Sequence, residues 1–180
     1  MLVVTGNPGV GKHTVSKVLA EKLGYHILDI NQIAIKNQIY QKSGSTLDVD
    51  TKKLEKKIKK LLKPNMVVVG HLAPYVIPKS QVKFAIVLRK NPYKLIPIYK
   101  KRKYSQKKIY ENLGSEILGV IAYDARSRFG KKALQVDATG LSVSKLLKKI
   151  HRAMKTKKQD DVDWLGMVSK KGELARFFPK

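Results

Sequence analysis

The sequence predicts an α/β fold with a parallel five-stranded sheet flanked by helices. Strand-length apolar runs alternate with segments of helical periodicity, which is the pattern of a parallel sheet with helical connections. A glycine-rich stretch from Gly6 to Thr14 lies between the first apolar run and the first helical pattern. At 180 residues the chain is long enough for one domain with a substantial core and short for two.

The glycine-rich stretch has the frame of a phosphate-binding loop. Its spacing from Gly6 to Gly11-Lys12 fits G-x-x-x-x-G-K. An expected strand precedes the loop and an expected helix follows it, which is the context that this motif requires. Backbone N–H groups in such a loop line a concavity for phosphate oxygens, and the dipole of the following helix favours negative charge there. Lys12 adds a cation for the outer phosphates. A plain strand-to-helix turn would not explain a lysine after three glycines, so the stretch predicts nucleotide binding.

The remaining elements follow from periodicity and capping residues. We expect Asn31 to cap a helix that runs to about Tyr40, and residues 42–46 to form a polar loop. We expect Ser105 to cap one long helix that extends through Ile121. Asp50 and Ser142 are the other expected caps. The five expected strands are residues 1–5, 25–28, 66–69, 84–88 and 134–136.

His71 is a candidate site residue because of its place after a buried strand. It follows the apolar run Met66 to Val69, and open α/β sheets bind ligands at the carboxyl ends of their strands. A purely structural histidine is the alternative.

The charge is strongly positive and unevenly distributed. The chain has 38 basic and 13 acidic residues, and residues 51–150 contain 25 and 5 of these, an excess of 20 positive charges. Seven lysines between Lys52 and Lys63 cover one face of an expected helix. A solvated or heat-adapted surface is the alternative, but heat adaptation usually enriches glutamate together with lysine. We therefore expect a polyanionic partner such as nucleic acid.

The sequence also gives an expectation for where in the cell the protein acts. No apolar run approaches the roughly 20 residues of a membrane-spanning helix, and the chain has no cysteine. We expect a cytoplasmic protein that does not act at a membrane.

Several motifs together resemble one known family. They are the loop from Gly6 to Lys12, residues 47–50, Gly70-His71, and the stretch from Phe84 to Arg89 through the basic block Arg102 to Lys108 and on to Asn112 and Glu116. These motifs resemble adenylate kinase isoenzyme six, a family of small nucleoside monophosphate kinases that also act as ATPases in ribosome assembly. The resemblance covers roughly residues 1–154 and implies the P-loop fold of nucleoside monophosphate kinases.

The resemblance implies roles for particular residues. Residues of about 29–51 would form a mobile arm that binds the monophosphate, and residues of about 101–111 a mobile lid. A kinase domain would span residues 1–155, followed by a basic C-terminal tail, 156–180. Lys12, Arg102 and His71 would be the catalytic residues, with Arg102 reaching the phosphoryl groups. ATP phosphates would be held by Gly9, Val10, Gly11, Lys12, His13, Thr14 and Arg102.

The sequence departs from the family at the magnesium site. The hydroxyl residue that normally follows the loop lysine is His13, and the acidic residue expected near the end of the third strand is Val69. Imidazole is a poor ligand for Mg²⁺, which prefers oxygen. We expect ATP phosphates to hold the ion, with Thr14 as the candidate protein ligand, and turnover to be slow.

The leading hypothesis is an ATP-dependent nucleoside monophosphate kinase, converting ATP and AMP to two ADP, with ATPase activity in small ribosomal subunit assembly and rRNA maturation. Its expected partners are AMP or another nucleoside monophosphate, a platform protein of the small subunit, and ribosomal RNA. The rival hypothesis is a largely non-catalytic ATP-binding assembly factor that acts through its basic surface. A different small-molecule kinase is disfavoured by the excess of positive charge.

Overall fold

Five of the seven strands in the described part of the chain form one parallel sheet, as predicted. A computed structural model of the chain describes residues 1–43 and 46–179. The sheet has the order β2-β5-β1-β6-β7, and β3 pairs with β4 in a separate antiparallel hairpin. The strands are β1 (Leu2–Thr5), β2 (His26–Asp29), β3 (Gln41–Ser43), β4 (Thr46–Asp48), β5 (Met66–Val69), β6 (Phe84–Arg89) and β7 (Ala133–Asp137).

The register aligns the carboxyl ends of the strands. Val4 of β1 lies opposite Val69 of β5 on one side and Ile86 of β6 on the other. Asp29 at the end of β2 lies opposite the same Val69. The segments that follow β1, β2, β5 and β6 therefore meet at one edge of the sheet, where open α/β sheets bind their ligands.

Helices cover both faces of the sheet and bury two apolar clusters. Leu2 and Val4 of β1 belong to the first apolar cluster and Val3 to the second, because successive side chains of a strand point to opposite faces. The helices are α1 (Lys12–Leu23), α2 (Ile30–Lys36), α3 (Thr51–Lys59), α4 (Ala73–Val76), α5 (Pro92–Lys101), α6 (Gln106–Ile117), α7 (Val120–Phe129), α8 (Val143–Thr156), α9 (Trp164–Lys170) and α10 (Leu174–Phe177). No helix in the described part of the chain is both long and apolar enough to span a membrane.

The prediction for α2 was wrong in its cap and its length. The helix begins one residue after Asp29, whose carboxylate accepts hydrogen bonds from the backbone N–H of Asn31 at 2.9 Å and of Gln32 at 3.2 Å. It ends at Lys36. The polar loop expected over residues 42–46 is instead the hairpin of β3 and β4, apart from residues 44 and 45, which lie outside the described residues.

The prediction of one long helix after Ser105 was also wrong. Ser105 does cap α6, but this helix ends at Ile117, and Gly119 with a φ of 68° separates it from α7. Ile117 packs in the same cluster as Val4, whereas Ile121 packs in the cluster of Val3. The chain therefore passes from one face of the sheet to the other at Gly119, which the continuous apolar spacing did not reveal.

The C-terminal segment is packed against the rest of the molecule. Val168 of α9 is fully buried and Phe177 of α10 is 1% exposed, both within the first apolar cluster. The Phe177 ring meets Tyr93 of α5 edge to face at 5.2 Å between centroids.

Candidate active site

The stretch after β1 forms a closed loop against the end of β6. Gly6 has a φ of 136°, and a Cβ at this position would lie 2.4 Å from the carbonyl oxygen of Leu88. Gly11 has a φ of 98° and stands immediately before the first residue of α1. Both positions therefore require glycine, one for close packing and both for backbone conformation.

The N-terminus of α1 opens toward the space enclosed by this loop. Within the described residues, no side chain caps its first turn and no acidic residue lies there. Its first N–H groups and its dipole are thus directed at any anion bound in the loop.

Lys12 is the first residue of α1 and is 5% exposed. Its Nζ donates a hydrogen bond to the backbone carbonyl of Asn7 at 3.3 Å. Burial, together with the positive charge of Arg102, lowers the pKa of Lys12 to about 8, and Asp29 acts in the opposite direction. Among the described residues no carboxylate forms an ion pair with this ammonium, and the oxygens of a phosphate would supply a closer negative charge than Asp29 does.

One cavity of about 850 Å³ brings the predicted site residues together. It is lined by residues from the loop, from the segment after β5 and from the segment after α5. Those among the predicted set are Gly9, Gly11, Lys12, His13, Thr14, His71 and Arg102.

Val10 is placed differently from its predicted neighbours. Its side chain is 1% exposed and packs in the first apolar cluster, so it does not line the cavity. Only its backbone N–H is left for contact with a phosphate.

His13 has a carboxylate partner that the sequence did not predict. Its Nε2 lies 3.0 Å from Oδ2 of Asp29, at the end of β2. Asp29 stands opposite Val69 in the register, so a carboxylate is present one strand away from the position where it was expected. The usable signal in the sequence was that Asp29 directly follows a predicted strand, because the ends of parallel strands share one edge of the sheet.

His71 lies in the cavity in its neutral form at neutral pH. Burial lowers the pKa of its imidazole to about 4, and the charge of Lys12 acts in the same direction while Asp29 opposes it. A neutral imidazole can donate one hydrogen bond and accept another without adding charge to the cavity.

Arg102 is exposed at the end of α5, where the basic segment begins. Its Nη1 lies 3.5 Å from the hydroxyl of Tyr104. Tyr104 stacks on Tyr99 at 5.5 Å between ring centroids, and the hydroxyl of the buried Tyr99 donates to the carbonyl of Pro8 at 2.8 Å. A short chain of contacts therefore joins the segment containing Arg102 to the glycine-rich loop.

The cavity also has aromatic and aliphatic walls. The side chains come from α2, from the segments before β3 and after β4, from the region of α4 and from α7, and the sequence assigned only those within residues 29–51, the expected arm, to the site. They include Ile35, Tyr40, Val49, Leu72, Tyr75, Val120 and Ile121. Such walls suit a planar ring rather than a phosphate group.

Comparison with known proteins places the chain in a family. A family model described as an AAA domain matches residues 2–119. A "Putative adenylate kinase" of Saccharolobus islandicus (strain Y.G.57.14 / Yellowstone #1) is 34% identical over 170 residues, covering 92% of this chain and 87% of that protein. The chain belongs to this adenylate kinase family. A second member, a "Putative adenylate kinase" of Methanocaldococcus jannaschii, is 34% identical over 170 residues and covers 91% of this chain and 92% of its own length.

Solved structures agree with this membership at the level of fold. A gluconokinase from Sinorhizobium meliloti 1021 superimposes with a TM-score of 0.52 at 14% identity, covering 99% of this chain and 97% of that chain. The predicted kinase fold is thereby confirmed. The protein is a phosphotransferase enzyme of the adenylate kinase type.

Proposed function

We propose that the protein transfers a phosphoryl group from ATP to AMP, forming two ADP. The observation that carries this proposal is one cavity that is lined both by the phosphate-binding loop with Lys12 and by aromatic and aliphatic side chains. The names of the related archaeal proteins support the same reaction.

Residues and segments around the cavity have distinct roles in the proposed reaction. The loop amides and Lys12 bind the phosphates of ATP, and Arg102 stabilises charge on the phosphoryl group in transit. Residues 101–111 act as a lid that excludes water, and residues 29–51 act as the arm that binds AMP. His71 bonds to a phosphate oxygen through its neutral imidazole.

The residues around the loop fit a magnesium ion that arrives with the nucleotide. The described residues contain no group of three His, Cys, Asp or Glu side chains that could hold a metal by themselves. Thr14 and the carboxylate of Asp29 are the oxygen donors beside His13. When bound, Mg²⁺ neutralises charge on the ATP phosphates, and these two oxygens would contact it directly or through its waters.

A coupled assay tests the proposed reaction. The rate of ADP formation is measured with ATP alone and with ATP plus AMP, each with and without magnesium. The Lys12→Ala variant should lose ATP binding and at least about a hundredfold in rate, because it removes the buried cation of the loop. Lys17→Ala is the matched control, since Lys17 is exposed on the same helix. Unchanged ATP affinity in a folded Lys12→Ala protein would overturn the proposal.

A role in small ribosomal subunit assembly is the second candidate, with ATP hydrolysis as the activity it uses. The seven lysines between Lys52 and Lys63 are all exposed, and Glu55 is the single acidic residue among them. This surface supports ribosomal RNA or a platform protein of the small subunit as a partner. If AMP does not accelerate ADP formation but ribosomal subunits accelerate ATP hydrolysis, the protein acts as an assembly ATPase. If it binds ATP and the subunit with neither effect, it acts as a non-catalytic assembly factor.

A further inference from the structure

A buried carboxylate lies directly behind the phosphate-binding loop. Glu116 of α6 has no exposed surface. Its Oε1 accepts from Nε of Arg89 at 2.8 Å and from the backbone N–H of Lys90 at 3.0 Å. Arg89 also donates to the carbonyl oxygen of Glu116 at 2.6 Å and to Oε1 of Gln135 at 2.6 Å.

The other oxygen of this carboxylate holds the loop. Oε2 of Glu116 accepts from Nδ2 of Asn7 at 2.7 Å, and Asn7 is 3% exposed. The backbone carbonyl of Asn7 in turn accepts from Nζ of Lys12. An unbroken chain of hydrogen bonds therefore runs from α6 through the loop to the lysine that faces the phosphates.

The C-terminal segment supplies a further donor to the same carboxylate. Nε1 of Trp164, the only tryptophan in the chain, donates to Oε1 of Glu116 at 3.2 Å. Trp164 begins α9, which is anchored by the fully buried Val168. Oε1 thus has three donors, which come from the end of β6, from the residue after it and from α9.

A buried ion pair contributes little net stability, because desolvation offsets the attraction between the charges. The Glu116 carboxylate is nevertheless fully bonded, and its position is fixed from opposite sides by Asn7 and Trp164. Phosphoryl transfer depends on alignment of the reacting groups to within a fraction of an ångström. A carboxylate that fixes the loop would therefore assist catalysis whatever its net contribution to folding.

We propose that Glu116 is a positioning residue for the phosphate-binding loop and that Trp164 holds Glu116 in place, so that α9 is part of the machinery for phosphoryl transfer. The contribution to transfer rests on the proposed kinase function, whereas the ordering of the loop does not.

Two conservative substitutions at the interface between the C-terminal segment and the rest of the molecule separate this role from docking of the segment in general. Trp164→Phe removes the indole N–H and keeps an aromatic ring. Tyr93→Phe is the matched control, because it removes the hydrogen bond from the Tyr93 hydroxyl to Glu173 in the same interface without touching Glu116.

The first measurement is amide hydrogen exchange of residues 6–12 in the ligand-free protein. Trp164→Phe should accelerate exchange in this loop by about tenfold, and Tyr93→Phe by less than about twofold. Asn7→Ala removes the hydrogen bond between the loop and Glu116, so it should accelerate exchange in the loop as much as Trp164→Phe does. Equal acceleration in the Trp164 and Tyr93 variants, or none in the Trp164 variant, would overturn the proposal.

The second measurement is steady-state kinetics with ATP and AMP. Trp164→Phe should lower kcat about tenfold with KM for ATP changed less than about twofold, while Tyr93→Phe leaves both constants as they are. An unchanged kcat in Trp164→Phe with a loosened loop would overturn the part of the proposal that concerns transfer. Calorimetry of ATP with the unmodified protein tests the proposed function separately, since loop exchange is measured without nucleotide.

Discussion

The ammonium group of Lys12 is almost completely buried, with its Nζ on the Asn7 carbonyl and the charge of Arg102 nearby. These surroundings disfavour the charged form in the ligand-free protein, and the pKa of Lys12 falls to about 8. Bound phosphate oxygens would favour the charged form again. The protonation of this one side chain therefore links pH to nucleotide binding.

The sign of this linkage follows from the two pKa values. The ordinary pKa of 10.5 applies to the unfolded chain, so between about pH 8 and 10.5 the unfolded state binds more protons at Lys12. In ligand-free protein, the contribution of Lys12 to the free energy of unfolding should rise with pH across this window. ATP affinity should fall by up to about tenfold per pH unit above pH 8, because binding takes up a proton. Calorimetry at pH 8.5 in two buffers of different ionisation enthalpy measures that uptake, and its absence would contradict the linkage.

His13 and Asp29 give a second prediction for single residues. His13→Thr places a hydroxyl directly after the loop lysine, as in the general frame of phosphate-binding loops, and leaves the Asp29 carboxylate without its imidazole partner. The magnesium-dependent rate should rise about tenfold, which corresponds to about 1.4 kcal/mol in the activation free energy. Asp29→Asn in the His13→Thr background should reverse the gain while keeping an oxygen that can cap α2. A His13→Thr enzyme that binds ATP normally and is no faster would show that these residues do not set the rate.

At the scale of elements, the break between α6 and α7 lets two neighbouring parts of the chain do different things: one supplies the buried carboxylate behind the loop, and the other supplies part of the cavity wall. Glu116 precedes the break and reaches behind the loop, while Val120 and Ile121 follow it and line the cavity. Gly119 adopts a φ of 68°, and a Cβ there would lie 3.2 Å from Nη1 of Arg89. One glycine thus sets both the backbone turn and the approach of Arg89.

Gly119→Ala should destabilise the protein for two reasons. A non-glycine residue at this φ costs about 1 kcal/mol or more, and the added methyl group would press on the guanidinium of Arg89. Gly140→Ala is the control, since Gly140 has a φ of 67° but its Cβ would meet nothing within 4 Å. Urea unfolding should show Gly119→Ala to be the less stable variant by about 1 kcal/mol. Equal free energies of unfolding would show that the Arg89 contact adds nothing.

At the scale of the whole molecule, the positive charge is concentrated away from the N-terminal third. Residues 1–50 contain 5 basic and 4 acidic residues, whereas residues 51–150 contain 25 and 5. The apolar side of α3 is buried through Leu54 and Ile58, so its lysines are held on the outer side as a continuous basic surface. Such a surface releases counterions when it binds a polyanion.

Binding to ribosomal RNA should therefore depend steeply on salt. The logarithm of the affinity should fall linearly with the logarithm of salt concentration, by about 0.7 to 0.9 per phosphate contact. Replacing Lys56, Lys57 and Lys60 by Gln should reduce this slope by roughly 2 to 3. The control variant replaces three exposed lysines outside the basic region, Lys17, Lys22 and Lys36, and should keep the slope. Equal slopes in the two triple variants would exclude α3 as the binding surface.

Local patterns in the sequence determined much of the fold and part of the candidate site. The lengths of the apolar runs and their spacing predicted all five strands of the sheet, and the helix caps at Asp50, Ser105 and Ser142 were predicted correctly. The loop from Gly6 to Lys12 was recognisable because its glycines and lysine are neighbours in the chain. These features depend on backbone conformation within a few residues, which the local sequence specifies.

Tertiary structure alone decided the contacts that join distant parts of the chain. Asn7 and Glu116 are 109 residues apart, and Glu116 and Trp164 are 48 apart, so no periodicity pairs them. The pairing of His13 with Asp29 arises because β2 ends beside the loop, a consequence of strand order. The helix expected to continue to Ile121 ends instead at Ile117, because Ile121, the next buried apolar residue, packs on the opposite face of the sheet. Burial favours a partner for most polar groups, but which partner a group finds is fixed by how the helices pack on the sheet.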